Sequence, residues 1–238
     1  MQVETQARVE TISLSRSIHE RVRESLAKIR LWPQTLSVAQ RTAFESADSA
    51  RRVMLEGYID GYFRIRQTTP LILLTVDVLN AARQHAPARL WGRYLQEEFA
   101  HDEVARGDLL RLHGSSESAL ALALEARTIS PPCAAMLGYF EWQVRKGDPH
   151  LLMIYKAFLE QHAVESKDSL HRLVEVLGKE NTRCIAMHQE LDEGHLDECA
   201  EYIDRHFNES RLEEYFWAID FMGDCLTQSQ LWTAKKVL

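Results

Sequence analysis

Glycine and proline are scarce in this sequence and fall between long segments, and this feature limits the possible folds more than any other. Only 10 glycines and 6 prolines occur in 238 residues, too few for the turns that an all-β fold needs every ~8–12 residues. Between them, apolar side chains recur at intervals of three and four, the period of amphipathic helices. The pattern predicts an all-α fold, a bundle of eight or nine helices in one domain over residues 1–238.

Capping residues predict most of the helix boundaries. Pro33, Pro70 and Pro87 separate the first four helices, because proline disfavours helical conformation in the residue before it. Ser130 and Asp148 are each followed by proline, a pairing typical of a helix start. The predicted helices span residues 3–30, 36–66, 71–84, 88–112, 117–127, 131–146, 149–177, 180–207 and 210–231.

Charge and cysteine content exclude several classes of protein. The formal net charge of −7 gives the chain no attraction for nucleic acid. Its four cysteines show no C-x-x-C spacing and are too few for a disulfide framework, which indicates a reducing compartment. The most apolar run, residues 71–79, is short and carries Asp77, so no membrane-spanning segment is predicted. We expect a soluble, cytoplasmic protein without a membrane or nucleic-acid partner.

Three potential metal ligands share one face of the helix predicted at 180–207. His188, Asp192 and His195 are separated by steps of four and three, which return a side chain to nearly the same helix face. That face also carries apolar residues, whereas acidic residues occupy the other side. A single buried histidine is usually an ordinary core residue, but two imidazoles and a carboxylate on an apolar face require a compensating positive charge. A metal ion would supply it.

The helix predicted at 88–112 offers a matching pair, Glu98 and His101. Their E-x-x-H spacing is the one found in di-iron carboxylate sites of helical bundles. Their predicted face continues through apolar residues, so both should point into the core. Glu97, one position earlier, is the alternative carboxylate.

A further carboxylate is expected from the helix predicted at 149–177. Glu160 shares a stripe with apolar residues and is the candidate bridging ligand. Its rivals are Glu165, nearer the solvent side, and the D-x-x-H pair Asp168 and His171. His162 is predicted to lie on the opposite face. Lys156 is expected to extend its amine to solvent, as amphipathic lysines commonly do.

The six candidates, Glu98, His101, Glu160, His188, Asp192 and His195, comprise three carboxylates and three imidazoles. That is too many ligands for a structural zinc site, which also favours thiolates. Mixed nitrogen and oxygen donors suit iron or manganese, and three carboxylates nearly balance two divalent ions. The set therefore predicts a di-iron centre. A single metal held by two histidines and one carboxylate is the alternative.

At these motifs the chain resembles the haem-oxygenase-like di-iron oxidases, an all-helical family. The segment EExxHDExxxxDLLRLHG at Glu97–Gly114 is similar to the family's first metal-binding helix, and H-x-x-x-D-x-x-H at His188–His195 is similar to its last. Glu160 falls where the family has its middle glutamate. The resemblance covers about residues 36–207. Several members take the first glutamate a turn or more earlier, where this sequence has Tyr94 or Trp91.

The resemblance implies a haem-oxygenase-like fold, a cofactor of two Fe(II) ions, dioxygen as co-substrate and a homodimer. It implies oxidation of a small substrate that bears an amine or a carboxylate. Known outcomes in the family include C–C fragmentation, N-oxygenation and conversion of a tryptophan derivative to a nitrile. Two alternatives stay open: a ferritin-like iron-binding protein, which would normally carry two E-x-x-H motifs, and a metal-free, thiaminase-like enzyme of the same architecture.

Overall fold

A computed structural model describes residues 13–29, 46–114 and 116–237, without the side chains of residues 169 and 188–193. The described residues form ten α-helices and no strand, so the prediction of an all-α bundle is confirmed. In chain order the helices are α1 (Leu14–Ile29), α2 (Ala47–Ala81), α3 (His85–Glu98), α4 (His101–His113), α5 (Glu117–Glu125), α6 (Pro131–Lys146), α7 (Leu152–Glu165), α8 (Lys167–Leu177), α9 (Arg183–His206) and α10 (Leu212–Val237). The break predicted at Pro33 lies outside the described residues.

Serine side chains cap the starts of two helices, one of them the start predicted at Ser130. The Ser116 hydroxyl accepts a hydrogen bond from the amide of Ala119 at 3.3 Å, at the start of α5. The Ser130 hydroxyl accepts one from the amide of Cys133 at 3.4 Å, and Pro131 occupies the first position of α6. Each cap satisfies an amide that has no partner within its own helix.

The helix end predicted at Pro70 is wrong. Pro70 lies inside α2, so the helices predicted at 36–66 and 71–84 are continuous over the described part. Proline in a helix interior costs about 3 kcal/mol or more. Buried side chains on both sides of Pro70, including Tyr62 before it and Leu71 after it, pack into the core and offset this cost.

The long helix predicted at 88–112 is also wrong, because it is divided into α3 and α4. The division lies at Phe99 and Ala100, and Ala100 adopts the left-handed conformation, with φ 68° and ψ 7°. Because Glu98 ends α3 and His101 begins α4, the two residues do not form an E-x-x-H pair on one helix. The bend changes the direction of the chain between them.

The helix predicted at 149–177 is divided as well, which brings the described helices to ten rather than eight or nine. A short 3₁₀ turn, Pro149–Leu151, precedes α7, and Ser166 separates α7 from α8. Nine of the 14 residues of α7 are buried, on all of its sides. A helix that is apolar all round lies in the centre of a fold, and α7 packs against α1, α9 and α10.

No described helix is both long enough and apolar enough to cross a bilayer. The four cysteines are buried and carry free thiols.

Candidate metal centre

Glu160 lies on the central helix α7 and forms an ion pair with Lys156, one turn earlier. The Nζ atom of Lys156 is 2.5 Å from Oε1 of Glu160, and both side chains are about nine-tenths buried. The ammonium group also lies 4.1 Å from the centre of the Tyr94 ring, a favourable cation–π arrangement. The inward position predicted for Glu160 is therefore observed. The prediction that Lys156 extends to solvent is wrong, because α7 is buried on every side.

His195 connects Glu160 to a second carboxylate. Its Nδ1 atom lies 3.2 Å from Oε1 of Glu160, and its Nε2 atom lies 3.3 Å from Oε2 of Glu97. These contacts bring α9, α7 and α3 together at one imidazole. Glu97, the alternative to Glu98 in the sequence, thus contributes a carboxylate to this cluster.

Glu98 and His101 meet across the bend between α3 and α4. The Nδ1 atom of His101 lies 3.1 Å from Oε2 of Glu98, and both side chains are largely buried. The pairing expected from the sequence is therefore present, although its cause is the left-handed Ala100 rather than helical spacing. Glu97 thus contacts His195 and Glu98 contacts His101, both from the end of α3.

The pKa values of the central groups depend on one another. Burial alone would raise the pKa of Glu160, but its contacts with His195 and Lys156 outweigh burial and lower this pKa to about 2. The contact with Glu160 raises the pKa of His195. Burial disfavours the charged amine of Lys156, yet the adjacent Glu160 carboxylate keeps the pKa of this amine above its usual value. In the described structure the Glu160 carboxylate is stabilised by the Lys156 ammonium and by its contact with His195.

Asp108 joins α4 to the start of α9 and was not among the candidate residues from the sequence. Its fully buried carboxylate pairs with Arg111, accepts a hydrogen bond from the Tyr58 hydroxyl at 2.5 Å and accepts another from the amide of Cys184 at 2.8 Å. Cys184 lies in the first turn of α9, whose amides attract negative charge. Asp108 thereby fixes α4 against the start of the helix that carries His195.

A cavity of about 270 Å³ adjoins the cluster, and Glu98, Lys156 and Glu160 form part of its wall. The rest of the lining is mostly apolar and comes from α2, α3, α4, α7, α8 and α9. His162 also lines this cavity. Its position two residues after Glu160 on the continuous helix α7 places it on the opposite face of that helix, so the cavity borders a wide part of the circumference of α7.

The rival candidates on α7 and α8 lie elsewhere. Asp168 and His171 are both exposed, because the break at Ser166 gives α8 a direction of its own. Glu165 contacts the side chain of Gln161 at 3.0 Å and lies 3.8 Å from Arg23 of α1. Among the described residues, none of these three forms an ion pair with His195 or Glu160.

Two of the six predicted ligands, His188 and Asp192, have side chains outside the described residues. Their backbone belongs to α9, which is continuous from Arg183 to His206. Among the side chains that the structure does describe, no group of three or more His, Cys, Asp and Glu is arranged as a ready-made metal site.

The described donors nevertheless suit iron or manganese. Three carboxylate–imidazole pairs lie within 3.1–3.3 Å, namely Glu98 with His101, Glu97 with His195 and Glu160 with His195. Carboxylate oxygen and imidazole nitrogen are donors that these metals accept. No thiolate takes part in these three pairs. These donor types are those that such a metal ion would accept.

Comparison with protein-family models, curated proteins and solved structures found no match for this chain. The family resemblance of its motifs stays a prediction.

Proposed function

We propose that the protein is a non-haem di-iron oxidase that uses dioxygen to transform a small molecule bound in the cavity beside Glu160. The observation that supports this most strongly is His195, which lies between the carboxylates of Glu160 and Glu97 and joins three helices. Of these two carboxylates Glu160 is buried and Glu97 is exposed, and a buried carboxylate is costly unless a cation compensates it. The proposed ligands are Glu98, His101, Glu160, His188, Asp192 and His195, with Glu97 added by its contact.

Two Fe(II) ions bound there would supply the electrons that reduce dioxygen. The chain's own residues provide the surroundings. The mostly apolar cavity wall would hold the substrate next to Glu98 and Glu160. Lys156 positions Glu160 through their 2.5 Å contact. His195 must be neutral to bind a metal.

The resemblance assigns the substrate to small amines or carboxylic acids. Amino acids and fatty acids are the first compounds to test, and the family's conversion of a tryptophan derivative to a nitrile makes such derivatives a specific case. The cavity adjoins ionisable groups only at part of its wall, which suits a molecule with one polar end.

The experiment is anaerobic loading with Fe(II), exposure to air and a screen of amino and fatty acids for oxygen-dependent loss. We expect turnover by the parent protein and none by His195→Ala or His188→Ala. His171→Ala is the matched control, since His171 is exposed on α8, and it should keep full activity. Full activity in His195→Ala would contradict the proposal.

The Lys156–Glu160 pair favours a second candidate, a metal-free enzyme of the same architecture. A lysine can neutralise Glu160 without any metal. Elemental analysis of the active protein distinguishes the two, because this candidate would turn over its substrate with no bound metal. A ferritin-like role is tested by size-exclusion chromatography, since it requires a large assembly.

The resemblance also supports a homodimer, which sedimentation equilibrium would test. The four free thiols suit the reducing cytoplasm that we propose as the location of the protein.

A further inference from the structure

Two glycines on α2 leave open space in the cavity wall. Gly57 and Gly61 are one helical turn apart, and both line the cavity. A Cβ atom added at either position would meet no other atom within 4 Å. Glycine in a helix interior costs roughly 1 kcal/mol relative to alanine. Gly57 is exposed whereas Gly61 is half-buried, so Gly61 is the position at which an added side chain would most reduce the cavity.

A cation lies one turn beyond the glycines. Arg64 follows Gly61 by three residues, is half-buried and also lines the cavity. No carboxylate of the described residues lies within ion-pair distance of the Arg64 guanidinium, whereas the other cation of the wall, Lys156, is already paired with Glu160. Arginine is well suited to bind a carboxylate through two parallel hydrogen bonds.

The chemistry of the wall thus has two parts. Apolar side chains and two glycines provide room for an apolar body, and Arg64 provides a cation for an anionic group. The volume of about 270 Å³ is slightly below the ~300–1,000 Å³ of sites for drug-sized ligands. The ligand should therefore be small.

We infer that the cavity binds a small carboxylic acid with an apolar body, that Arg64 pairs with the carboxylate, and that Gly57 and Gly61 set the largest body the cavity accepts. This names the substrate class of the proposed oxidase and rests on that function only in taking the bound acid to be the substrate. Binding of the acid itself requires no metal.

The test is calorimetric titration of metal-free protein with indole-3-propionate and octanoate, and with tryptamine as an amine of similar body. We expect both acids to bind and tryptamine not to bind. Arg64→Gln should weaken both acids about tenfold or more, the effect of a hydrogen bond to a charged group.

Gly61→Leu should abolish binding of indole-3-propionate while raising the melting temperature, because leucine favours a helix more than glycine. Gly138→Leu is the matched control. Gly138 lies on α6, is exposed and also has open space around an added Cβ atom, so this variant should gain stability and keep normal binding.

The inference would be overturned if Gly61→Leu bound the acids with the same affinity as the parent. It would also be overturned if Arg64→Gln did so. If the protein binds iron but neither acid, the inference about the cavity is wrong and the oxidase proposal is unaffected. Acid binding by a protein that takes up no iron would support the cavity assignment and contradict the oxidase. The two proposals can therefore fail separately.

Discussion

The Nδ1 atom of His195 lies 3.2 Å from Oε1 of Glu160, so α9 and α7 meet through two ionisable side chains inside the bundle. Lys156 contacts the same oxygen of Glu160. The buried Glu160 carboxylate is therefore balanced by the Lys156 ammonium and by its contact with His195.

Replacing Glu160 by glutamine should destabilise the metal-free protein strongly. The change leaves Lys156 and His195 without their carboxylate, and loss of one partner from a buried pair costs about 3–5 kcal/mol. Denaturant unfolding measures the effect. The double variant Glu160→Gln/Lys156→Met should recover most of the loss, and the exposed control Glu175→Gln should stay within ~0.5 kcal/mol of the parent. A Glu160→Gln protein as stable as the parent would show that the ion pair is not formed.

Replacing Asp108 by alanine should have a similar cost. Asp108 is fully buried and pairs with Arg111 while accepting the amide of Cys184, so its removal leaves buried donors unsatisfied at a cost of about 3–5 kcal/mol. Tyr58→Phe removes one hydrogen bond to the Asp108 carboxylate and should cost about 1.5–3 kcal/mol, the effect of a hydrogen bond to a charged group. The control is the exposed Glu103→Gln, expected to be neutral. A neutral Asp108→Ala variant would contradict the role given to this residue.

Replacing Ala100 by glycine should stabilise the protein. Ala100 has a left-handed backbone with φ 68°, which costs a residue with a Cβ atom roughly 1–2 kcal/mol. We expect a gain of about 1 kcal/mol in the free energy of unfolding. Ala135→Gly, at an exposed position inside α6, should lose about 1 kcal/mol instead. A change in the free energy of unfolding in the same direction in both variants would contradict the left-handed bend.

Mild acid should weaken a hydrogen-bonded network beside the site. Nε2 of His150 lies 2.6 Å from Oε1 of Gln84, so Nε2 carries the proton and donates. Nδ1 then accepts from the Tyr202 hydroxyl at 2.7 Å, and that hydroxyl accepts from Trp91 at 3.2 Å. Burial lowers the pKa of His150, and the neighbouring His206 lowers it further. The folded state therefore favours neutral His150.

The lowered pKa of His150 determines the direction in which stability changes with pH. The unfolded chain binds the proton first, so the contribution of His150 is present above the unfolded pKa of about 6.5 and is lost as pH falls toward the folded pKa. Unfolding measured from about pH 7 to about pH 5 should show a smaller loss of stability in His150→Gln than in the parent. Because His195 titrates in both proteins, the difference between them isolates His150. Identical pH profiles would contradict the prediction.

Local sequence explains the parts of the site that depend on helix faces. Glu160 shares its stripe with apolar residues, and His195 lies on the same face as Cys199 and Tyr202, both of which are buried. These patterns predict which side chains point inward. Their meeting at 3.2 Å follows from the packing of α7 against α9.

The bend at Ala100 could not be predicted, because every residue from Glu97 to Val104 is compatible with a helix. Its cause is tertiary: the Thr69 hydroxyl of α2 approaches the Glu98 carbonyl at 3.5 Å, and α4 packs against α2 and α9. The sequence indicated the burial of Lys156 only weakly. Lys156 precedes Glu160 by four residues, a spacing typical of helical ion pairs, within a run that is apolar on all sides of the helix.

Ferrous iron bound per chain, measured anaerobically by elemental analysis and Mössbauer spectroscopy, tests the central claim most directly. The account predicts two ferrous ions bound to the parent chain, a reduced number in His101→Gln and His195→Gln, and the parent value in His171→Gln, with circular dichroism showing that all four proteins are folded. A folded parent protein that retains no more iron than His195→Gln would contradict it.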